Sequence, residues 1–223
     1  MVDLATMTDD RRLTVQGQER KDQLLDCAAT LFAERGYAET RVLDIVRAAG
    51  VAKGLFYWYF ENKEALFREL VEQNRHRLRR AQAAAIDADA EPLLQIRQGA
   101  DASVRFMSKY AHFFALLEVE NSDLAFAEER RKGTEIHTRD VARVLRIGIA
   151  DGTIRDEDPE LLAHSVVGSV GYYGHLHRTG RVALPDEELA SFVGRLIVCS
   201  LASHEDIARR VLANGLGSTP LPS

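Results

Sequence analysis

GYAETRVLDIVRAAGVAKGLFYWYFENKEAL, residues 36–66, holds two short helical patterns that meet at a glycine. Ile45, Ala49, Val51 and Phe56 fall where two helices crossing at a steep angle bury apolar side chains, and Gly50 occupies the tight turn between them. The spacing predicts a helix-turn-helix, a unit whose second helix enters the DNA major groove. After the turn, Lys53 to Phe60 carries five aromatics in eight residues, more than one short helix can bury. Phe56, Tyr59 and Phe60 share a helical face and are expected in the core. Tyr57 and Trp58 point elsewhere and are expected on the DNA side.

Outward from this segment the chain is helical almost throughout. Leu24, Ala28, Leu31 and Phe32 recur at i, i+4, i+7 and i+8, so a first helix is expected from Gln18 until Gly36 stops it. Helices two and three are expected near 41–48 and 52–59. Asn62 suits the N-cap of a fourth helix, which carries Leu66, Phe67, Leu70 and Val71 inward and runs over 62–86. Beyond a linker at Asp87 to Pro92, helices are expected at 92–108, 110–120, 123–150, 159–178 and 186–204. Asp158-Pro159-Glu160 combines an N-cap, a proline at the first helical position and an acid in the first turn. No stretch alternates as a strand does. The expected fold is all-α with about nine helices: an N-terminal helix-turn-helix domain and a larger helical domain. Domain boundaries follow as a mobile N-terminal arm at 1–17, a DNA-binding domain at 18–65, an effector-binding and dimerisation domain at 66–213 and a disordered tail at 214–223, with helix 62–86 connecting the two domains.

Composition narrows the function. The 223 residues are 46% hydrophobic and 28% charged, ordinary for a globular protein, and no apolar run approaches the length of a membrane span. No signal series opens the chain, so a cytoplasmic location is expected. Cys27 and Cys199 lie far apart in sequence, each within an apolar helical pattern, and are expected as small buried hydrophobes. The net charge is −5, with 14 Lys+Arg against 13 Asp+Glu in residues 1–80 and 15 against 21 beyond. Charge alone therefore does not argue for nucleic acid; the motif must carry that reading.

Gly36-Tyr37, Thr40, Asp44-Ile45, Ala49-Gly50-Val51, Lys53-Gly54, Phe56-Tyr57, Tyr59-Phe60 and Asn62-Lys63-Glu64, at these spacings, resemble the DNA-binding domain of the TetR family of bacterial repressors. The resemblance covers about residues 18–70; the remainder is similar only in helical architecture. It implies that Thr40, Arg41, Lys53, Gly54, Leu55, Tyr57, Trp58 and Lys63 face DNA. Gly54 allows close approach to the duplex, Tyr57 offers a hydroxyl to phosphate, and Trp58 suits apolar contact with a thymine methyl or a sugar. Lys63 adds charge at the start of a helix. The chain leaves the family pattern at Arg41 and Ala52, where a Ser or Thr usually opens helices two and three. Arg41 can replace a hydroxyl's phosphate contact with a charged one, and Thr40 is a substitute cap for helix two.

In the family, the remaining helices bind a small effector and dimerise. Gly168, Gly171 and Gly174 with Ser165 and Ser169 make an unusually small set inside one helix, and a helix–helix dimer seam would offset the cost of interior glycine. Ser165, Gly168, Gly171, His175, Phe192, Leu196 and Cys199 are the candidate dimer interface, two helices from each subunit forming a four-helix bundle. Phe106, Met107, Tyr110, Phe113, Phe114, His137, Tyr172 and Tyr173 are candidates for an effector pocket, although an ordinary core would use the same residue types. The arginines at 75, 77, 79 and 80 read most simply as a solvated face, with an acidic effector group as the sharper alternative.

No metal or cofactor is expected: His175 and His177 cannot share a helix face, and no Cys or acidic partner stands at ligand spacing. His204-Glu205 lacks the second histidine of a zinc-protease motif, and neither Gly-x-Ser-x-Gly nor a phosphate loop is present. The function these features imply is a homodimeric repressor released from a palindromic operator by a small apolar or amphipathic effector. The alternatives are a DNA-binding dimer without effector control and an enzyme in the C-terminal domain.

Overall fold

The computed structural model describes residues 14–119 and 124–214. Their regular structure is all-α, ten helices in place of the nine expected: α1 Val15–Arg35, α2 Val42–Ala48, α3 Lys53–Tyr59, α4 Lys63–Ala85, α5 Pro92–Lys109, α6 Ala111–Val119, α7 Leu124–Ala150, α8 Pro159–Arg178, α9 Asp186–Leu201 and α10 Glu205–Asn214. Two compact units divide within α4, between Leu70 and Val71. No helix among the described residues is long and apolar enough to cross a membrane.

Both ends differ from expectation. Residues 1–13 of the expected arm lie outside the described residues, but 15–17 already belong to α1, which the Thr14 hydroxyl caps by accepting the Gly17 N–H at 3.1 Å. The expected tail at 215–223 also lies outside them, whereas Asn214 closes α10.

In the first unit, Leu24, Leu25, Ala28, Leu31 and Phe32 of α1 pack with Ile45, Val46, Phe56, Leu66, Phe67 and Leu70. Phe32, Tyr37 and Phe67 form an edge-on triangle with centroids 5.1 to 6.0 Å apart. The turn between α2 and α3 holds Gly50 at φ 63°, in the left-handed region a side chain disfavours, and the Val51 N–H closes it on the Val46 carbonyl at 3.0 Å. Gln23 of α1 clamps the same turn by donating to the Ala49 carbonyl at 2.9 Å.

The second unit is built around α5. Leu93, Ile96, Ala100, Val104 and Met107 recur at helical spacing and pack against Ala142 and Leu145 of α7, Ala163, Val166 and Val170 of α8, and Leu189, Val193 and Ile197 of α9. Each fully buried branched side chain here contributes about 1.5–3 kcal/mol. Helices α5 and α9 approach closely at Gly194, where a Cβ would stand 2.1 Å from the Asp101 carboxylate. Asp101 is itself held by burial well above the usual carboxylate range, at about 6.

The helix expected at 186–204 ends early, and this produces the tenth helix. Ala202 is extended and forms a short antiparallel bridge with Ile154, where the Arg155 N–H meets the Leu201 carbonyl at 2.9 Å and the Ser203 N–H meets the Thr153 carbonyl at 3.1 Å. The chain then restarts as α10, which buries Ala208 and Val211. Arg97 of α5, almost wholly buried, donates to the Val211 and Leu212 carbonyls near the end of α10, where the helix dipole favours a cation.

Candidate nucleic-acid interface and ligand cavity

Helix α3 divides its aromatics by face. Phe56 is 0% exposed and Phe60 is buried, whereas Tyr57 and Trp58 are 50% and 52% exposed. Lys53 and Gly54 stand fully out at the start of the helix, nothing lies within 4 Å of the position a Gly54 Cβ would take, and Leu55 is half-buried. The Lys53 ammonium sits 5.7 Å from the Tyr57 ring centroid. Arg41, exposed, is the N-cap residue of α2; its backbone N–H donates to the Asp44 carboxylate at 3.0 Å. A guanidinium has no acceptor to offer the helix in return, so its side chain stays available. Arg47, on which base readout is expected to lean along with Trp58, is exposed on α2, and Arg20, which the sequence reading passed over, borders an open groove with Thr14, Gln16, Gly17, Gly54, Leu55, Trp58 and Tyr59.

Three expectations are corrected in this unit. Thr40 is 1% exposed, and its hydroxyl donates to the Gly36 carbonyl at 2.8 Å and lies 3.3 Å from that of Leu31, so it neither faces outward nor caps α2. Lys63 turns its ammonium onto the Tyr37 and Thr40 carbonyls at 2.6 and 2.8 Å and lies 4.1 Å from the Tyr37 ring centroid. It is a brace for the 37–40 loop. Tyr59 is only half-buried: its hydroxyl donates to the Gly17 carbonyl at 2.7 Å, tying the end of α3 to the start of α1. Asn62 does cap α4, accepting the Ala65 N–H at 2.8 Å.

The second unit holds a partly open cavity of about 600 Å³, bordered by helices α4 to α8. Of the aromatic and sulfur-bearing candidates, Met107, Phe113 and Phe114 line it, as does His137. Phe106 and Tyr110 instead stack on each other at 4.4 Å beside the cavity lining, and Tyr173 packs 5.3 Å from Phe192 of α9. Tyr172 is exposed on the outer face of α8. Neighbouring residues on a helix point about 100° apart, so the two tyrosines could not both have faced inward.

Two of the cavity's polar groups, Gln82 and Ser103, come from positions the sequence reading left out. The Gln82 amide nitrogen donates to the Ser103 hydroxyl at 2.9 Å and lies 3.0 Å from His137 Nε2. An amide nitrogen cannot accept, so Nε2 is the acceptor and the imidazole proton sits on Nδ1. Burial pushes the His137 pKa down, which agrees with a neutral ring. Ser103 in turn donates to the Gly99 carbonyl at 2.6 Å. Arg75 and Arg79 also line the cavity, and Arg79 pairs with Asp140 of α7 at 2.7 Å. These two arginines are therefore not simply a solvated face.

On the outside of the same unit, Leu161, Ser165, Gly168 and Tyr172 are exposed along one face of α8, and Phe192, Leu196 and Cys199 are exposed along α9. His175 is half-buried, and Gly171 borders the cavity. The glycine set of α8 thus has mixed reasons. Gly174 packs inside the unit, where a Cβ would meet the Met107 methyl at 3.0 Å, whereas nothing lies within 4 Å at Gly168. Neither thiol is buried: Cys27 is half-buried and Cys199 exposed.

The model of "Bacterial regulatory proteins, tetR family" matches residues 24–70. The chain is 31% identical over 155 residues to the HTH-type transcriptional repressor KstR2 of Mycolicibacterium smegmatis, covering 66% of this chain and 74% of that protein. It is 29% identical over 122 residues to the probable acrEF/envCD operon repressor of Escherichia coli, spanning about half of each chain, 53% and 54%. Among solved structures, the transcriptional regulator FadR of Bacillus subtilis in complex with stearoyl-CoA superposes with a TM-score of 0.73 at 21% identity, over 80% of this chain and 98% of that one.

Proposed function

Since the chain belongs to the tetR family of bacterial regulatory proteins, we propose that it acts as a homodimeric transcriptional repressor whose grip on a palindromic operator is released by a small effector. The division within α3 carries the DNA-binding part of this reading: buried Phe56 and the buried cap residue Phe60 fix the helix, whose seven residues present Lys53, Gly54, Tyr57 and Trp58 outward. Arg41 and Arg47 add cations from α2 for phosphate contacts, which set register, while Trp58 and Leu55 supply the apolar contacts available to base edges. Thr40 and Lys63 support this surface from beneath.

The cavity supports effector control, since its volume and its mixture of apolar walls with a few convergent polar groups are those of small-molecule sites. A similar fold holds stearoyl-CoA in the B. subtilis regulator, and an apolar-bodied effector suits the Met107, Phe113, Phe114 and Val170 wall here. The α8 and α9 outer faces are the dimer seam, two helices per subunit related by two-fold symmetry. A gel-shift titration against the DNA flanking its own gene tests the proposal. A specific, salt-sensitive complex is expected, and equal affinity for random DNA of the same length would sink it.

A further inference from the structure

Charge around the cavity is unevenly shared. Arg75, Arg79 and Arg143 line it, and Asp140 is the one lining carboxylate among the described residues. Arg75 is ion-paired to Glu72 of its own helix, and Arg79 to Asp140 across from α4 to α7. Arg143 makes no ion pair among the described residues, yet it stands three residues from Asp140, on the neighbouring ridge of the same helix. His137 adds no charge, because its Nε2 accepts from the Gln82 amide, and burial lowers its pKa. One guanidinium is thus left over beside a pair that bridges two walls of the cavity.

We propose that the cavity takes an amphipathic anion, whose carboxylate or phosphate is held by Arg79 and Arg143 in place of Asp140 while its apolar body lies among Met107, Phe113, Phe114 and Val170. The inference rests on the effector-binding reading above and assigns the head group that reading leaves open. Guanidinium forks match carboxylate and phosphate oxygens in pairs, and a pair of such contacts is directional as well as charged. Asp140 and Arg79 are each about half exposed, so their pair is screened and its carboxylate can return to water at little cost. A neutral head group would leave Arg143 as it is. A cationic one would meet the surplus guanidinium directly.

Isothermal titration of the full chain with dodecanoate, dodecyl phosphate, dodecanol and dodecyltrimethylammonium, each below its micelle concentration, tests this. At least one anionic probe is expected to bind about tenfold tighter or more than dodecanol, with the ammonium weakest; the two anions separate a carboxylate from a phosphate preference. Arg143→Gln should weaken the preferred anion about tenfold and leave dodecanol unchanged. Asp140→Asn should strengthen the anion, because its competitor for Arg79 is gone. Equal binding of dodecanol and both anions, or a weaker anion in Asp140→Asn, overturns the head-group assignment while leaving an effector site in place. Failure of all four probes to bind removes the effector reading itself, and this inference with it.

Discussion

The two units anchor the polar side chains of their candidate sites differently. In the first, Thr40, Lys63, Tyr59 and Gln23 all end on backbone carbonyls, those of Gly36, Tyr37, Thr40, Gly17 and Ala49. In the second, the cavity groups reach for one another: Gln82 to Ser103 and His137, Arg79 to Asp140. A backbone carbonyl moves only if its element moves, so the first arrangement fixes a surface. A side-chain partner can rotate away and be replaced, so the second arrangement leaves room for exchange. On the proposed function, rigidity is placed where a duplex would be read, and exchangeability where a ligand would enter.

Substitutions in each unit sharpen or break that contrast. The largest effect is expected from Phe56→Ala, which empties the centre of the first unit and should cost about 3–5 kcal/mol in urea unfolding; a cost below 1 kcal/mol would mean that α3 is not anchored there. Next, Thr40→Val keeps the volume and strands two carbonyl contacts, for an expected loss of about 1–3 kcal/mol by the same measurement. Asp101 acts in the opposite sense. Its carboxyl titrates at about 6 against an ordinary 3.8, so the folded chain binds more protons between these values, and stability falls as pH rises through that window. Asp101→Asn should remove that fall and gain about 1–3 kcal/mol at pH 7, read as a flattened stability profile between pH 4 and 7. The smallest effect is expected from Gln82→Leu, within about 1 kcal/mol of the parent, because Ser103 keeps its Gly99 partner. A loss as large as that of Thr40→Val would erase the distinction between the units.

Legibility in the sequence follows the range of the interactions. Positions set by local rules were readable: the Gly50 turn, the Asn62 cap, and the Asp158 cap whose carboxylate accepts the Glu160 and Leu161 N–H groups at 2.8 and 3.0 Å. The separation of Phe56 from Tyr57 and Trp58 was readable too, because helical periodicity alone forces it. Thr40 was misplaced because a threonine before a helix usually caps forward, whereas here it bonds backward to α1, a choice made by tertiary contact. Ala202 gave no local sign of extension; its partner Ile154 stands in a different part of the chain. The cavity shows the same limit. Met107 and Phe114 are apolar enough to nominate, but Gln82, Ser103 and Arg79 look like ordinary polar helix positions until α4, α5 and α7 come together around them. Gly194 likewise has no local reason to be glycine, and only the approach of α5 supplies one.

Trp58 is the only tryptophan in the chain and is half exposed in the last turn of α3, 4.6 Å from the Tyr59 ring. Its emission is therefore a built-in, label-free optical signal confined to one helix. Quenching on addition of duplex reports occupancy of that helix, and no residue of the cavity lining fluoresces at the same wavelength. A spectral change when a colourless ligand fills the cavity would then be a direct reading of communication between the two units, obtained in a cuvette from the unmodified protein.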